Sequence, residues 1–332
     1  MVNRINLHSP IRAELNWRSA IVIDPYTQVL PSWVNPCQLG EGAFLIKHRE
    51  VAFPGMEVAY FFTENTFSDR LVIPPGETHF ALALFPHLPV LSWMGYKDLI
   101  AQTIAVHRNN NVEYTSVMPP GWIGLYICMN NELIANLDLL PEKFWQHSRD
   151  PNRALLQVDP TAFDRFRQFM RSWFVRSQDL HTRSCLNPQQ AVILREELIG
   201  EFRQLLDRTF QERGDRTIFK PSRRYWIFES ACAMLDANLA QNLTTEEFCQ
   251  KLRVSPRALQ YAFQDITGMG LQEYIRARKL NAVREELIRR HPDETTVNAI
   301  AAKYGFFHSG RFSQQFHRQF GIHPSTILQH RP

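Results

Sequence analysis

Two stretches near the end of the chain repeat one another, and this duplication constrains the fold more than any other feature of the sequence. TTEEFCQKLRVSPRALQYAFQDITG at 244–268 aligns with TVNAIAAKYGFFHSGRFSQQFHRQFG at 296–321. Up to the middle of each copy the offset is 52: Phe248 meets Ile300, Cys249 meets Ala301, Leu252 meets Tyr304 and Val254 meets Phe306. Beyond it the offset is 53, pairing Leu259 with Phe312, Phe263 with Phe316 and Gly268 with Gly321. One residue has therefore been inserted in the second copy. The apolar residues of each half recur at helical spacing, so each copy predicts a short helix, a tight turn and a second helix, the helix-turn-helix unit.

The residues around each turn fit that geometry. Cys249 and Ala301 are small where two helices must cross. Gly305 can supply the positive φ of a sharp turn. Ser255 followed by Pro256 reads as an N-cap and first helical residue, and Gly268 and Gly321 suit the ends of the second helices. Between the copies, LQEYIRARKLNAVREELIRR at 271–290 predicts a long helix that sets their separation.

The second helix of each copy, expected over 255–266 and 308–320, has two faces. Leu259, Ala262, Phe263 and Ile266, then Phe312, Phe316 and Phe320, form the face to be buried. The other face carries Arg257, Gln260, Tyr261 and Gln264, then His308, Ser309, Arg311, Gln314 and Gln315. Arg suits guanine edges and Gln suits adenine edges in the major groove, while backbone amides at helix starts suit phosphates. Double-stranded DNA is the expected partner. Charge agrees with this. From residue 220 onward there are 16 Lys and Arg against 10 Asp and Glu, whereas the first 219 residues carry 21 against 23. The basic surplus thus lies in the C-terminal third, as polyanion binding requires.

Residues 40–130 have a different texture. FLIKHREVAF, VAYFF, RLVIPP, HFALALF, VEYTSVMPP and GWIGLYICM are short apolar or alternating runs, punctuated by Pro54-Gly55, Pro74-Pro75-Gly76 and Pro119-Pro120-Gly121. That pattern predicts a sandwich or barrel. From about 132 to 212 the reading is helical, with Phe163, Phe166, Phe169, Met170 and Trp173, then Leu194, Leu198, Phe202, Leu205 and Phe210, at helical spacing over 160–177 and 188–212. These helices suit packing on the barrel and dimer contact equally well. RGDRTIFKPSR at 213–223 breaks the periodicity and reads as a linker. The expectation is an α+β chain: residues 1–212 with a β-rich, cupin-like barrel and a helical dimerisation segment, then 224–332 as an all-α DNA-binding domain with two helix-turn-helix units joined by a long helix.

Enzyme signatures are weak. PPGETHFALALF at 74–85 resembles a cupin strand pair, but a cupin metal site needs two His and a carboxylate converging. Glu77 and His79 stand there without an HxH, and His87 and His107 fall at uninformative spacing. No Gly-rich phosphate loop, GxSxG or HExxH occurs. His181 and Cys185 are one helical turn apart but fit a solvated loop better than a nucleophile pair. No catalytic residue, metal ligand or cofactor is expected. Trp93, Tyr96, Trp122 and Tyr126 are more often core than pocket; Glu77, His79, Trp93 and Trp122 are the nearest to an effector-binding set. Five scattered Cys without a CxxC favour reduced thiols and a cytoplasmic chain. No apolar run is long enough to span a membrane.

With these residues in view, 224–326 resembles the AraC/XylS class of bacterial transcription regulators. Ser255, Leu259, Phe263, Gly268, Tyr274, Arg278, Leu280, Asn281 and Ala282 carry the likeness, completed by Ala301, Gly305-Phe306, Phe312, Phe316, Phe320-Gly321 and Pro324-Ser325. RARKLNAVREELI and GFFHSGRFSQQF look closest to the ethanolamine-utilisation regulator branch. The pattern departs at Leu271, where the family usually has Pro, and at Phe248-Cys249, where Leu-Ala is usual. The resemblance implies a regulator, expected to be an activator, whose two reading helices enter successive major grooves. It also implies an N-terminal domain that senses a small organic effector and forms a homodimer, with ligand altering the reading domains or their contact with RNA polymerase. Two other readings stay open: a cupin-type metalloenzyme, which would carry iron or zinc, and a protein-interaction module, whose DNA affinity would not depend on salt.

Overall fold

A computed structural model describes residues 16–22, 36–44, 46–84, 102–108, 114–141, 144–147, 153–182, 187–213 and 222–329. The strands are β1 (Asn16–Val22), β2 (Pro36–Gln38), β3 (Ile46–Phe53), β4 (Met56–Thr63), β5 (Phe67–Leu71), β6 (Glu77–Ala83), β7 (Thr103–Arg108), β8 (Tyr114–Met118), β9 (Ile123–Asn130) and β10 (Arg153–Gln157). The helices are α1 (Asn131–Asn136), α2 (Pro160–Thr182), α3 (Pro188–Arg213), α4 (Arg223–Asp236), α5 (Thr245–Leu252), α6 (Pro256–Thr267), α7 (Leu271–Arg289), α8 (Val297–Lys303), α9 (Ser309–Phe320) and α10 (Pro324–Gln329). The molecule is α+β, strand-rich first and helical last.

Seven strands form one antiparallel sheet in the order β1-β3-β4-β9-β6-β7-β10, and β2-β5-β8 form a second, small one. Alternation along each strand gives the large sheet two chemically distinct faces. Val58, Ile127, Phe80 and Val106 stand in one cross-strand row, and Leu125, Leu82, Ile104 and Leu156 in the next. This apolar face receives Phe163, Phe166, Met170 and Trp173 of α2 and Leu194, Leu198, Phe202 and Leu205 of α3. Trp173 Nε1 donates to the Leu194 carbonyl at 2.9 Å and ties the two helices together. The stripes that suited both packing and dimer contact are spent on the sheet.

The opposite face is polar. Glu57, Cys128, His79 and His107 are cross-strand neighbours on β4, β9, β6 and β7. Tyr126 lies on the same face, and burial followed by the charge of Asp69 on β5 raises its hydroxyl pKa. The small sheet therefore covers this polar face. Its other side meets the helices: Cys37, Leu39 and Val117 share one apolar cluster with Tyr225, Phe228, Phe263 and Tyr274. Tyr225 Oη also donates to the Thr115 carbonyl at 3.0 Å.

The stretch expected to be helical from 132 contains β10, which pairs with β7 at the edge of the large sheet. Its Ala154-Leu155-Leu156 core is too short to show a period of its own, and edge pairing decided the conformation. β1, β2 and β7 lie outside the runs read as strands. Most of the expected 213–223 linker, together with Trp93, Tyr96, His87 and Cys185, falls outside the described residues.

Candidate nucleic-acid interface

The last hundred residues build two helix pairs on a common strut. In the first, Thr244 accepts from Glu247 N at 3.2 Å while the Glu247 carboxylate accepts from Thr244 N at 2.7 Å, a reciprocal cap that starts α5. Arg253 turns the chain with φ of 52°, and Val254 N donates to the Cys249 carbonyl at 3.1 Å. Ser255 then caps α6 through Ala258 N at 3.2 Å, with Pro256 following. In the second pair Gly305 occupies the left-handed place, with φ of 87°. Phe306 N donates to the Ala301 carbonyl at 3.0 Å, the same closure 52 residues on. The positive φ of Gly305 calls for glycine, while the nearest atom to an added Cβ would be the end of the Asn242 side chain, at 2.8 Å. α6 and α9 both end on left-handed glycines, Gly268 and Gly321.

Burial follows the repeat. Phe263 of α6 meets Phe228 of α4 at 5.1 Å and Tyr274 of α7 at 5.2 Å between ring centroids, a three-helix junction. Phe306, Phe312, Phe316 and Phe320 form a continuous ring contact, at 5.3, 5.6 and 4.6 Å between successive centroids. The first half of α7, with Tyr274, Ile275 and Ala277, belongs to the first pair's core; Leu280, Val283 and Leu287 belong to the second's. Nineteen residues of α7 span roughly 28 Å at about 1.5 Å per residue.

On the outer faces, Arg257, Gln260, Tyr261 and Gln264 of α6 are exposed, as are His308, Ser309, Arg311 and Gln314 around α9, with Gln315 half-buried. Several are locally engaged. Arg257 donates to Tyr261 Oη at 3.0 and 2.9 Å, Arg224 lies over the Tyr261 ring, and Gln264 Nε2 donates to the Gly268 carbonyl at 2.9 Å. A valley of about 300 Å³ runs between the pairs. Met269 and Arg276 line one side and Arg311, Gln314, Gln315 and Arg318 the other. No α6 side chain lines this valley; the nearest approach of α6 is Gln260, which abuts Gly270 beside Met269.

Sequence reasoning missed three features here. Arg276 sits in the valley on the strut rather than on a reading helix. The residue inserted in the second copy, Phe307, stands 72% exposed immediately before α9. Gln319 is buried where the first copy has Ile266, and this break in the repeat was the available signal.

The proposed effector set is not gathered at one point. His79 accepts or donates with Glu77 at 2.9 Å and is buried. His79 pairs across the sheet with Cys128, whereas Trp122 lies before the start of β9, six residues and roughly 20 Å along the strand. Trp93 lies outside the described residues. Among the described residues no group of three or more His, Cys, Asp or Glu is arranged to hold a metal ion. No helix among them is long and apolar enough to cross a membrane.

Residues 248–330 match the helix-turn-helix domain family. Among named relatives, the chain is similar to XylDLEGF operon transcriptional activator 1 of Pseudomonas putida, 35% identical over 104 residues, 31% of each chain. It is also similar to the HTH-type transcriptional activator RhaR of Pectobacterium carotovorum, 38% identical over 95 residues, 29% of this chain and 32% of that one. The match thus spans about a third of the length of these relatives. Among solved structures, ToxT from Vibrio cholerae O395 aligns over 83% of this chain and 98% of its own at 12% identity and a TM-score of 0.29.

Proposed function

We propose that the chain is a sequence-specific DNA-binding transcription regulator of the AraC type, acting as an activator. α5–α6 and α8–α9 are then its two helix-turn-helix units. The observation that carries this is the repeated pair of helices, each with a buried aromatic or aliphatic face and an exposed Arg/Gln face. The strut length of roughly 28 Å is close to the ~34 Å between successive major grooves, which supports insertion of α6 and α9 on one side of a duplex. Arg257, Gln260, Tyr261, Gln264, His308, Ser309, Arg311, Gln314 and Gln315 are the proposed contacts. The strand-rich part, 1–212, is the effector-sensing and dimerising domain of a cupin-like barrel, with Glu77, His79, Trp93 and Trp122 as the proposed contacts of a small organic effector. RNA polymerase is the partner of the DNA-bound form. Within the class, RARKLNAVREELI and GFFHSGRFSQQF favour the ethanolamine-utilisation regulator branch.

Selection of bound duplexes from a random library with purified full-length chain tests the reading, followed by affinity against salt on the selected site. A recurrent site and a steep fall of log affinity with log salt are expected, from release of several phosphate counterions. Recovery of unselected sequence with a flat salt response rejects it and favours a protein-interaction module.

A further inference from the structure

The valley between α7 and α9 is not bounded by the helical domain alone. The loop that leaves β2 enters it: Leu39 and Glu41 line the same space as Arg311 and Arg318. That loop is held by amides as well as by Leu39, which is buried in the cluster shared with Phe228 and Phe263. Gln38 N donates to Asn281 Oδ1 at 3.0 Å, and Asn281 Nδ2 donates back to the Gln38 carbonyl at 2.8 Å, a strand-like bidentate pair with α7. Gln38 Nε2 donates to the Gln319 carbonyl at 2.6 Å. Gln319 Nε2 reaches the carbonyls of Gln38 and Gly40, both at 3.1 Å. Gly42 N donates to the Arg318 carbonyl at 2.9 Å. Gln38, Asn281 and Gln319 are all buried. Buried amides stay in place only while their partners do, so the seam is strong when closed and separable when water replaces both sides together.

We propose that residues 38–43 are a clasp that competes with DNA for the valley between α7 and α9, so that full insertion of α9 requires the loop to leave. The inference rests on the DNA-binding reading above. Glu41 brings a carboxylate to the surface where phosphates must approach, and like charges oppose each other there. Arg311 and Arg318 line the same space as Glu41 and Glu273, and they are open to the duplex once the loop leaves. Effector or dimer contacts acting on β2 reach α9 through this one loop.

A reversible lock tests the clasp. A Cβ on Gly321 would lie 3.8 Å from that of Ala43, within the span a disulfide bridges. The full-length Ala43→Cys/Gly321→Cys variant is assayed on the selected DNA site, oxidised and reduced, with the 43–321 crosslink confirmed by peptide mass. The reduced form carries any strain at Gly321 and serves as the reference. The oxidised form is expected to bind at least tenfold more weakly, with reductant restoring affinity. Glu41→Gln, an exposed change that removes the loop's carboxylate from the valley without adding a cation, is expected to tighten binding severalfold in the unlocked chain but not in the oxidised, locked one. Equal or tighter binding by the oxidised form overturns the clasp, as does failure of the two thiols to join. If wild type binds no selected site, the regulator reading fails first and the clasp with it.

Discussion

Phe316 has no exposed surface and sits in the middle of the ring contact that fixes α9. Phe316→Ala should cost about 3–5 kcal/mol through the cavity it leaves, read as a lowered denaturant midpoint; an unchanged midpoint would mean that the core of the second pair lies elsewhere. Arg311, exposed on the opposite face, should behave in the contrary way. Arg311→Ala should leave unfolding alone but cost about 1–3 kcal/mol on the selected site and relax preference at one base pair. Equal losses on every site variant would assign Arg311 to phosphate instead. This division into inner and outer side chains was readable from four-residue spacing. The position of Gln319 was not, because a helix period says which face is buried but not which partner buries it. Only the fold shows that residues 38–40, some 280 positions away, supply the carbonyls.

At the scale of elements, the helix ends matched their residues closely: Ser255-Pro256 begins α6, and Gly268 and Gly321 end α6 and α9. Arg253 in the left-handed region had no such mark, since a non-glycine there is imposed by the turn around it. Ser255→Ala should cost about 1 kcal/mol of stability by removing the cap on Ala258 N. The contact of α7 with α8 should depend on pH through Glu286 and Lys303. Burial pushes the Glu286 carboxyl up, but hydrogen bonds from Lys303 and Tyr304 outweigh it and hold it below the ordinary 4.5. A lowered carboxyl contributes stability above its ordinary value and loses it as pH falls through the folded value. The thermal difference between wild type and Glu286→Gln should therefore be full at neutral pH and shrink below about pH 4.5. On the alkaline side Lys303, raised by the same bond, keeps its share until pH passes its own elevated value. A difference constant from pH 3 to 8 would dissociate Glu286 from the contact. Among strands, the β3–β4 hairpin at Pro54-Gly55 was legible, while the Pro-Gly turns at 74–76 and 119–121 join strands of different sheets; β7 and β10 were not legible, since each is short and pairing decides them.

For the whole molecule, composition and the repeat were enough to separate a strand-rich part from a basic helical one. They did not reveal that β2-β5-β8 stands as a slab between the polar face of the large sheet and helices α4 and α7. Because Cys37, Leu39 and Val117 lie in one cluster with Phe228, Phe263 and Tyr274, unfolding of the helical part should be coupled to that of the slab. Tyr225→Phe, which removes the bond to the Thr115 carbonyl, should lower stability by about 1 kcal/mol and bring the transitions of the two parts apart. Far-ultraviolet and tryptophan signals that remain superimposed across a loosened seam would argue that each part folds independently.

The shared slab also bears on recombination. A tail transplanted onto a foreign sensor would arrive with the flank of its first helix stripped bare, a greasy scar where Val117 and Leu39 once lay. Grafts cut at residue 222 should therefore clump or lose specificity, whereas those that carry strands 36–38, 67–71 and 114–118 along with the tail should travel intact.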